Sequence, residues 1–523
     1  MQIVTLTPAH PGQPVADSLA AAALPLPLPC GGRKRCGNCI VWLRGALSPV
    51  EADETALLQT HPRPGEAPGA GFALRLACCC RLLGAAECAL PEAAAQPATA
   101  EATAAVATAP LPGYDGTQPG SLGVAVDVGT TTITLELFCF PSAIPIATVS
   151  EMNRQGAFGA DVLSRIAAVA LQGLAPLTDC LRAQLSAMLA AALGQAQASS
   201  DAVTRLCITG NTTMLHFLAG LDPTSMGASP FTPQSLFGAE SPANAVFPAL
   251  PAGAALYLPP CVSAFIGADI TCGALASDLC GAERTLMADV GTNGEMMLHT
   301  KDGALLCCST AAGPAFEGAE ITMGMPALPG AVDRVWGECG QLRWHAIPGA
   351  EPKGICGTGL ISALRFFLEH GTLDETGCIE PQEDDPYLLW QEDGASLWLG
   401  GSDVVVTQRD VRKLQLVKAS IAAGIETLLH ESGIASAALH KLWLGGGFGS
   451  YLRPDDAAAI GMIPPAAAPM AQPAGNIALR GAEMLLFSHA LRAEALCLAQ
   501  RAVEISLATH PVFGEAFIEG MGF

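Results

Sequence analysis

Two short stretches hold the residues best suited to metal chemistry. "CGGRKRCGNC" (30–39) sets Cys30, Cys36 and Cys39 at a Cys-x5-Cys-x2-Cys spacing, and "RLACCC" (75–80) brings Cys78 after a further 38 residues. Three clustered thiolates and one distant one can hold a [2Fe–2S] cluster. Such a loop must aim three sulfurs inward while its amides face the sulfides, and Gly31, Gly32 and Gly37 permit that backbone. A zinc site would want a second Cys-x2-Cys or a histidine pair, and residues 70–90 contain neither. A thioredoxin-type pair would use Cys36 and Cys39 and leave Cys30 and Cys78 idle. The cluster reading uses all four, with the zinc and structural readings left open beside it. The basic run Arg33-Lys34-Arg35 is either a solvated loop or a docking rim for an acidic partner.

A second constellation suits phosphates. "GVAVDVGTTTITLELF" (123–138) and "TLMADVGTNGEMMLHT" (285–300) repeat one pattern: an apolar strand, Asp-Val-Gly-Thr, a polar turn and a second apolar strand. Glycine lets such a turn approach oxygen atoms, amides and threonine hydroxyls donate to them, and the aspartate can hold Mg²⁺ directly or through water. A third element, "KLWLGGGFGSYL" (441–452), runs an apolar strand into Gly445, Gly446 and Gly447, exposed backbone suited to an adenosine ring or ribose. Neither a P-loop nor a Gly-x-Gly-x-x-Gly turn after a strand is present. His216, at helical spacing in "TTMLHFL", reads as a satisfied core histidine rather than a catalytic one. Glu317 and Glu320 follow a Gly-Pro turn, where they either approach the nucleotide or cap a helix.

These residues need substantial elements to position them. A chain of 523 residues, half of them apolar and 14% charged, can bury large cores and exceeds what one core usually serves. Residues 1–90 read as a small module, with a β-like start, the Cys loop and "CIVWLRG" as a strand. Residues 91–121 are almost wholly Ala, Pro, Thr and Gly and read as a flexible linker. Beyond them the texture is α/β, divided here into 122–205 and 206–523. The two Asp-Val-Gly-Thr hairpins lie 162 residues apart, which predicts duplicated lobes facing each other. A net charge of −22 argues against nucleic acid or an anionic membrane as partner. The opening "MQIVTLTPAH" does not read as a signal peptide, and Ala-rich runs such as 186–196 are too short to span a bilayer. A cytoplasmic protein with reduced or metal-bound thiols is the expectation. Seven of the 19 cysteines lie in the first ninety residues, and the rest are scattered as small hydrophobes would be.

In the order phosphate, phosphate, adenosine, the three nucleotide elements resemble the actin, hexokinase and Hsp70 superfamily of ATPases. The cysteine loop resembles the ferredoxin-like domain of corrinoid-activation proteins through Cys30-Gly31-Gly32, Cys36-Gly37, Cys39 and Arg75-Leu76-Ala77-Cys78. Further stretches look like blocks of the same family in the same order: "NRQGAFGADVLSRI" (153–166), "ITGNTTMLHFLAGLDP" (208–223), "SAFIGADITCGAL" (263–275), "AAGPAFEGAEITMGM" (311–325), "GICGTGLISAL" (354–364) and "TQRDVRKLQLVKASIAAGI" (407–425). Lys34 stands where that loop usually has glycine, Arg154 stands for the proline of an Asn-Pro-Gln block, and Cys79-Cys80 extend the expected ligand.

The resemblance implies an α/β multidomain protein: an N-terminal β-grasp [2Fe–2S] ferredoxin-like domain, an Ala/Pro linker and a two-lobed actin/hexokinase/Hsp70-like ATPase. It implies ATP-dependent transfer of one electron to a Co(II) corrinoid protein of a methyltransferase system, giving Co(I) for methyl transfer. Cys30, Cys36, Cys39 and Cys78 would hold the cluster. Asp127 and Asp289 would position Mg²⁺ and the attacking water, with Asp289 as candidate base. Gly129, Thr130, Thr131, Thr132, Gly291, Thr292, Asn293 and Gly294 would bind phosphates, and Gly445 to Gly447 the adenosine. An upstream reductant and a homodimer are implied as well, with no nucleic acid and no membrane insertion. The alternatives are another electron acceptor, as for activators of 2-hydroxyacyl-CoA dehydratases, or a small-molecule kinase with a redox-sensing domain. A nucleotide-timed interaction module without turnover is a further one.

Overall fold

A computed structural model describes residues 2–8, 10–21, 39–60, 67–90, 110–116, 118–318, 320–380, 385–391, 394–449 and 451–523. Cys30, Cys36, the run Arg33 to Arg35 and linker residues 91–109 lie outside them.

The N-terminal unit is a five-stranded antiparallel sheet. Gln2–Leu6, Arg81–Leu90, Ile40–Leu47 and Ala73–Leu76 lie side by side in that order, and Gln13–Pro14 pairs with the start of Arg81–Leu90. A helix, Val15–Ala21, follows directly. Leu19, Val41, Leu43, Leu76 and Leu82 are buried together in a core of the unit's own.

The duplication expected from the repeated hairpins is present as two six-stranded sheets that share five strands of one topology, the sixth being Ala239–Pro242 at one edge of the first and Ala502–Glu504 at the opposite edge of the second. In the first, Leu122–Val128 pairs antiparallel with Thr132–Cys139, which pairs antiparallel with Pro145–Met152. On its other side Leu122–Val128 pairs parallel with Val203–Gly210, and that strand pairs parallel with Ala255–Leu258. In the second sheet, Thr285–Val290, Gly294–His299 and Leu305–Thr310 form the same meander. Lys441–Gly445 and Ala471–Gly475 are the parallel neighbours there. The central strands are buried on both faces, which explains why "LGVAVDV" and "TLMADV" read as nearly continuous apolar runs. The division read at residue 205 falls within the first sheet, whose strands run on to Leu258.

Each lobe has its own core. A third core fills the space between the sheets. Two helices carry it, Ala268–Ala276 and Ile477–Phe487, with Ala125, Phe138, Met287 and Trp443 facing them from the two sheets. The helices touch backbone to backbone: a Cβ on Gly481 would lie 2.1 Å from the Cys272 carbonyl oxygen. The heads of both lie beside the end of a central strand: Asn476 caps the second and bonds Asp127, and Asp269 in the first turn of the other feels the charge of Asp127 and Asp289.

Among the described residues, no helix is long and apolar enough to cross a membrane.

Candidate functional site

The cleft is built from the two repeated hairpins. Asp127 and Asp289 end the two central strands as equivalent residues. Asp127 sits opposite Thr209 and Asp289 opposite Gly445 on the parallel neighbours, and Glu295 is the cross-strand partner of Asp289. Asp269, in the first turn of the helix Ala268–Ala276, is a further carboxylate near enough for these groups to feel one another's charge. Burial pushes Asp127 up to about 6. Burial, then the charge of Asp127, pushes Asp289 up to about 7. Asp269 and Glu295 are driven upward by burial and by the neighbouring carboxylates. Buried like charges of this kind favour protons on some of the group.

The turns of the two hairpins meet. Thr131 Oγ1 and Thr292 Oγ1 are 3.2 Å apart, and both point at Glu317. Thr131 donates to Oε2 at 2.5 Å and Thr292 to Oε1 at 2.9 Å. One carboxylate therefore occupies the position where two hydroxyl donors from opposite lobes converge. Behind the first turn, Arg165 is 1% exposed. It donates to the Thr130 carbonyl at 2.6 Å and to the Gly159 carbonyl at 3.0 Å. Burial lowers its guanidinium to about 10, so it stays charged at neutral pH. Asn153 donates to the Gly129 carbonyl at 2.9 Å, and Asn211 donates to Thr130 Oγ1 at 3.0 Å while capping the helix Thr212–Ala219. Asn476 caps the helix Ile477–Phe487 and donates from Nδ2 to Asp127 Oδ2 at 2.9 Å.

The glycines divide by role. A Cβ on Gly129 would lie 2.6 Å from the Thr132 carbonyl, so the tight turn requires glycine. Gly446 has φ +90°, and a Cβ there would lie 2.4 Å from Asp289 Oδ1, so its close approach serves the carboxylate. Gly445 is buried against Ile477, whereas Gly447 is exposed with open space around it. Gly294 is packed beneath Ile421 of the long helix Gln408–Ser432, which accounts for it without a ligand. Gly291 stays open, Asn293 hydrogen-bonds to Glu295, and Thr132 is exposed at the start of its strand.

Residues outside the cleft are equally plain. His216 is wholly buried: its Nδ1 bonds the Thr212 carbonyl at 2.7 Å, and Nε2 accepts from the Gln234 and Ser235 amides. That is the satisfied core histidine expected. Glu320 turns away to pair with Lys413.

Sequence reasoning missed Asp269, Glu295, Asn476, Asn211 and Arg165. Cross-strand pairing with Asp289 marks Glu295, and an asparagine directly before an apolar helical run marks both caps. Asp269 and Arg165 had no local signal, because tertiary folding alone brings them to the turns.

In the N-terminal unit Cys39 is buried and its Sγ lies 3.3 Å from Cys78 Sγ. That is well beyond the disulfide bond length of about 2.05 Å. It approaches the roughly 3.7 Å two sulfurs take on one tetrahedral metal with bonds near 2.3 Å. Cys79 is 3.9 Å from Cys78, whereas Cys80 points to the Arg81 carbonyl and burial raises its thiol. Cys88 is buried and pushed up to about 12. The arginine of "RLAC" is structural. Arg75 forks onto Glu54 at 2.8 and 3.0 Å and donates to the Ser48 and Pro49 carbonyls, while Glu54 accepts the Leu76 amide.

The donor sets fit the two implied groups differently. Cys39 and Cys78 fit a shared metal centre. Among the described residues no three His, Cys, Asp or Glu side chains converge as a complete metal site. Mg²⁺ at Asp127 and Asp289 would therefore take its remaining ligands from phosphate and water, as Mg²⁺ usually does.

Comparison with known proteins bears on the family and the fold. Residues 122–282 match the family described as the RACo middle region, and residues 283–523 match the C-terminal domain of RACo, the ASKHA domain. The chain is 30% identical over 417 residues to the corrinoid activation enzyme RamQ of Eubacterium limosum, covering 76% of this chain and 69% of that one. It is 28% identical over 352 residues to the [Co(II) methylated amine-specific corrinoid protein] reductase of Methanosarcina barkeri, spanning 60% of this chain and 62% of that protein. A solved structure titled reductive activator for corrinoid,iron-sulfur protein superposes with a TM-score of 0.71 at 26% identity. It covers 98% of this chain and 95% of its own.

Proposed function

The chain belongs to the family of reductive activators of corrinoid proteins, and from that premise we propose that it couples ATP hydrolysis to one-electron reduction of a Co(II) corrinoid protein. The product is the Co(I) form that accepts methyl groups in a methyltransferase system. The observation that carries the ATP half is the meeting of two Asp-Val-Gly-Thr hairpins from opposite lobes at Glu317. When bound, a [2Fe–2S] cluster supplies a one-electron carrier and Mg-ATP a free-energy source.

The residues divide the work. Cys39 and Cys78 are two of the cluster ligands, with Cys30 and Cys36 as the other two, and Cys78 is preferred over Cys80 because Cys80 faces into the core. Thr131 and Thr292 turn their hydroxyls from Glu317 to phosphate oxygens, with the amides of Gly129 and Gly291 beside them. Arg165 keeps a positive charge behind the first turn. Asp127 and Asp289 face a cation with its waters. Asp289, held near neutrality by burial and by Asp127, is the group best placed to take a proton from the attacking water. The linker joins the two functions, an upstream reductant reloads the N-terminal unit, and a cytoplasmic homodimer is the setting.

An Asp289→Asn protein tests this. It should keep its iron and its visible spectrum yet lose ATP-driven formation of Co(I), followed by the cobalt absorbance of a purified Co(II) corrinoid protein, by about 100-fold or more. Full ATP-driven activation by that variant overturns the assignment.

A further inference from the structure

The helix Ile477–Phe487 has three fixed points along its length, two on paired strands of the first lobe's sheet and one on the chain that enters that lobe. At its start, Asn476 accepts the Leu479 amide with Oδ1 and donates with Nδ2 to Asp127, both at 2.9 Å. Two turns on, Glu483 hydrogen-bonds to Glu136 of the first lobe's strand Thr132–Cys139 and is held by Arg480 at 2.8 Å. At its end, the Phe487 carbonyl accepts the amide of Asp115 at 3.1 Å. The Phe487 ring stands edge-on to Phe138, Phe140 and Tyr114 at 5.4, 5.2 and 6.3 Å.

Tyr114 and Asp115 are where the chain leaves the Ala/Pro segment that joins the cysteine unit to the lobes. They are firmly seated. Tyr114 stacks on Phe140 with centroids 4.0 Å apart, and the Arg205 guanidinium lies over the Tyr114 ring, 5.0 Å from its centroid. Asp115 accepts from Arg205 at 3.0 Å and from the His489 amide, and its carboxylate faces the His489 ring at 3.3 Å. Among the described residues, none assigned above to nucleotide or cation makes a recorded contact at this anchor.

The helix is also stiff. Its 11 residues span about 16 Å at 1.5 Å per residue. At Gly481 it has no side chain to give way against the Cys272 carbonyl. A shift of the helix at its head would therefore be carried along its length to Phe487 rather than absorbed within it.

We infer that the helix Ile477–Phe487 is the rod that carries the state of Asp127 to the tether anchor at Tyr114 and Asp115, with Asn476 as the positioning residue at its head. This rests on the reading of the cleft as a nucleotide site. When the Asp127 carboxylate turns to a cation, Asn476 either follows it or loses its acceptor, so the helix interacts differently with the two states. That difference is what a coupling requires. The consequence is that nucleotide occupancy alters how tightly the tether, and through it the cysteine unit, is held against the lobes.

The experiment is hydrogen exchange on the full-length protein with and without saturating Mg-AMPPNP, read at the Asp115 and His489 amides, with calorimetry for nucleotide binding. The expected result is a change in exchange at both amides of about fivefold or more, the low end of allosteric coupling. In Asn476→Ser, which keeps a capping hydroxyl but is too short to reach Asp127, the change at Asp115 and His489 should fall away at a Mg-AMPPNP concentration shown by calorimetry to saturate the variant, whatever its affinity. By reciprocity Asp115→Asn, at the far end of the rod, should shift the nucleotide Kd in the wild-type Asn476 background. Nucleotide that binds without altering either amide, or an undiminished change in Asn476→Ser, overturns the rod and leaves the nucleotide reading standing. No binding of Mg-AMPPNP by the wild-type protein overturns both.

Discussion

At the scale of single residues the cleft is governed by carboxylates that burial and mutual repulsion hold above their ordinary range. Asp127 at about 6 and Asp289 at about 7 bind protons more tightly folded than unfolded. The sign of the pH dependence follows. Stability from these groups is fully present below about pH 4, their unfolded range, and is lost as pH rises through about 6 to 7. A divalent cation replaces those protons, so it binds better as they leave. The protein without nucleotide should therefore show a falling Tm between pH 5 and pH 8, wherever other groups are matched by an Asp127→Asn, Asp289→Asn control. The rise in Tm produced by Mg-AMPPNP should grow over the same interval. A nucleotide-induced rise that is constant from pH 5.5 to 8 would show that these two carboxylates do not face the cation. Glu317 adds a second residue-scale effect: its carboxylate holds both threonine hydroxyls, so phosphate oxygens must compete with it for the same donors.

At the scale of elements, the decisive contacts are those where only backbone fits. The turn after Lys441–Gly445 brings Gly446 against the Asp289 carboxylate at φ +90°. In Gly446→Ala the new methyl group meets Asp289 Oδ1 and Val290, and the left-handed conformation adds strain of roughly 1–3 kcal/mol. The expected outcome is a lower Tm together with nucleotide affinity weakened by about tenfold or more, measured by calorimetry; wild-type affinity would mean that Asp289 tolerates displacement. This element also marks how far the sequence could be read. The Asp-Val-Gly-Thr pattern located both hairpins and both aspartates because strand, turn and glycine are local signals. The triple glycine was legible as exposed backbone, but not as support for Asp289, since the contact of Gly446 with Asp289 joins residues 157 apart in the chain (446 less 289). Asp269, Asn476 and Arg165 reach the cleft only through the packing of helices between and behind the sheets. Arg154 is instructive in the other direction. Its amide donates to Gln184 at 2.9 Å, a bond that the proline of the resembling block does not supply.

At the scale of the whole molecule, two bodies with separate cores are joined by one tether, and damage to one should stop at that tether. Arg75 tests this. It is 4% exposed, forks onto the wholly buried Glu54, and together they hold the Ser48 and Pro49 carbonyls and the Leu76 amide next to Cys78. Removing the guanidinium leaves Glu54 as an uncompensated buried charge, which costs about 3–5 kcal/mol. A unit of about 90 residues has roughly 5–13 kcal/mol of stability in all, so Arg75→Ala should lose much of the order around Cys39 and Cys78. The lobes, whose three cores contain no residue of that unit, have no part in the loss. The variant should therefore come out of anaerobic purification with little iron and no visible cluster absorbance, while Mg-AMPPNP affinity stays within about twofold of wild type. Loss of nucleotide affinity along with the iron would mean that the two bodies share stability through contacts beyond the Tyr114–Asp115 anchor. In that case the electron-carrying and ATP-binding halves act as one folding unit, with the tether more than a connection between them.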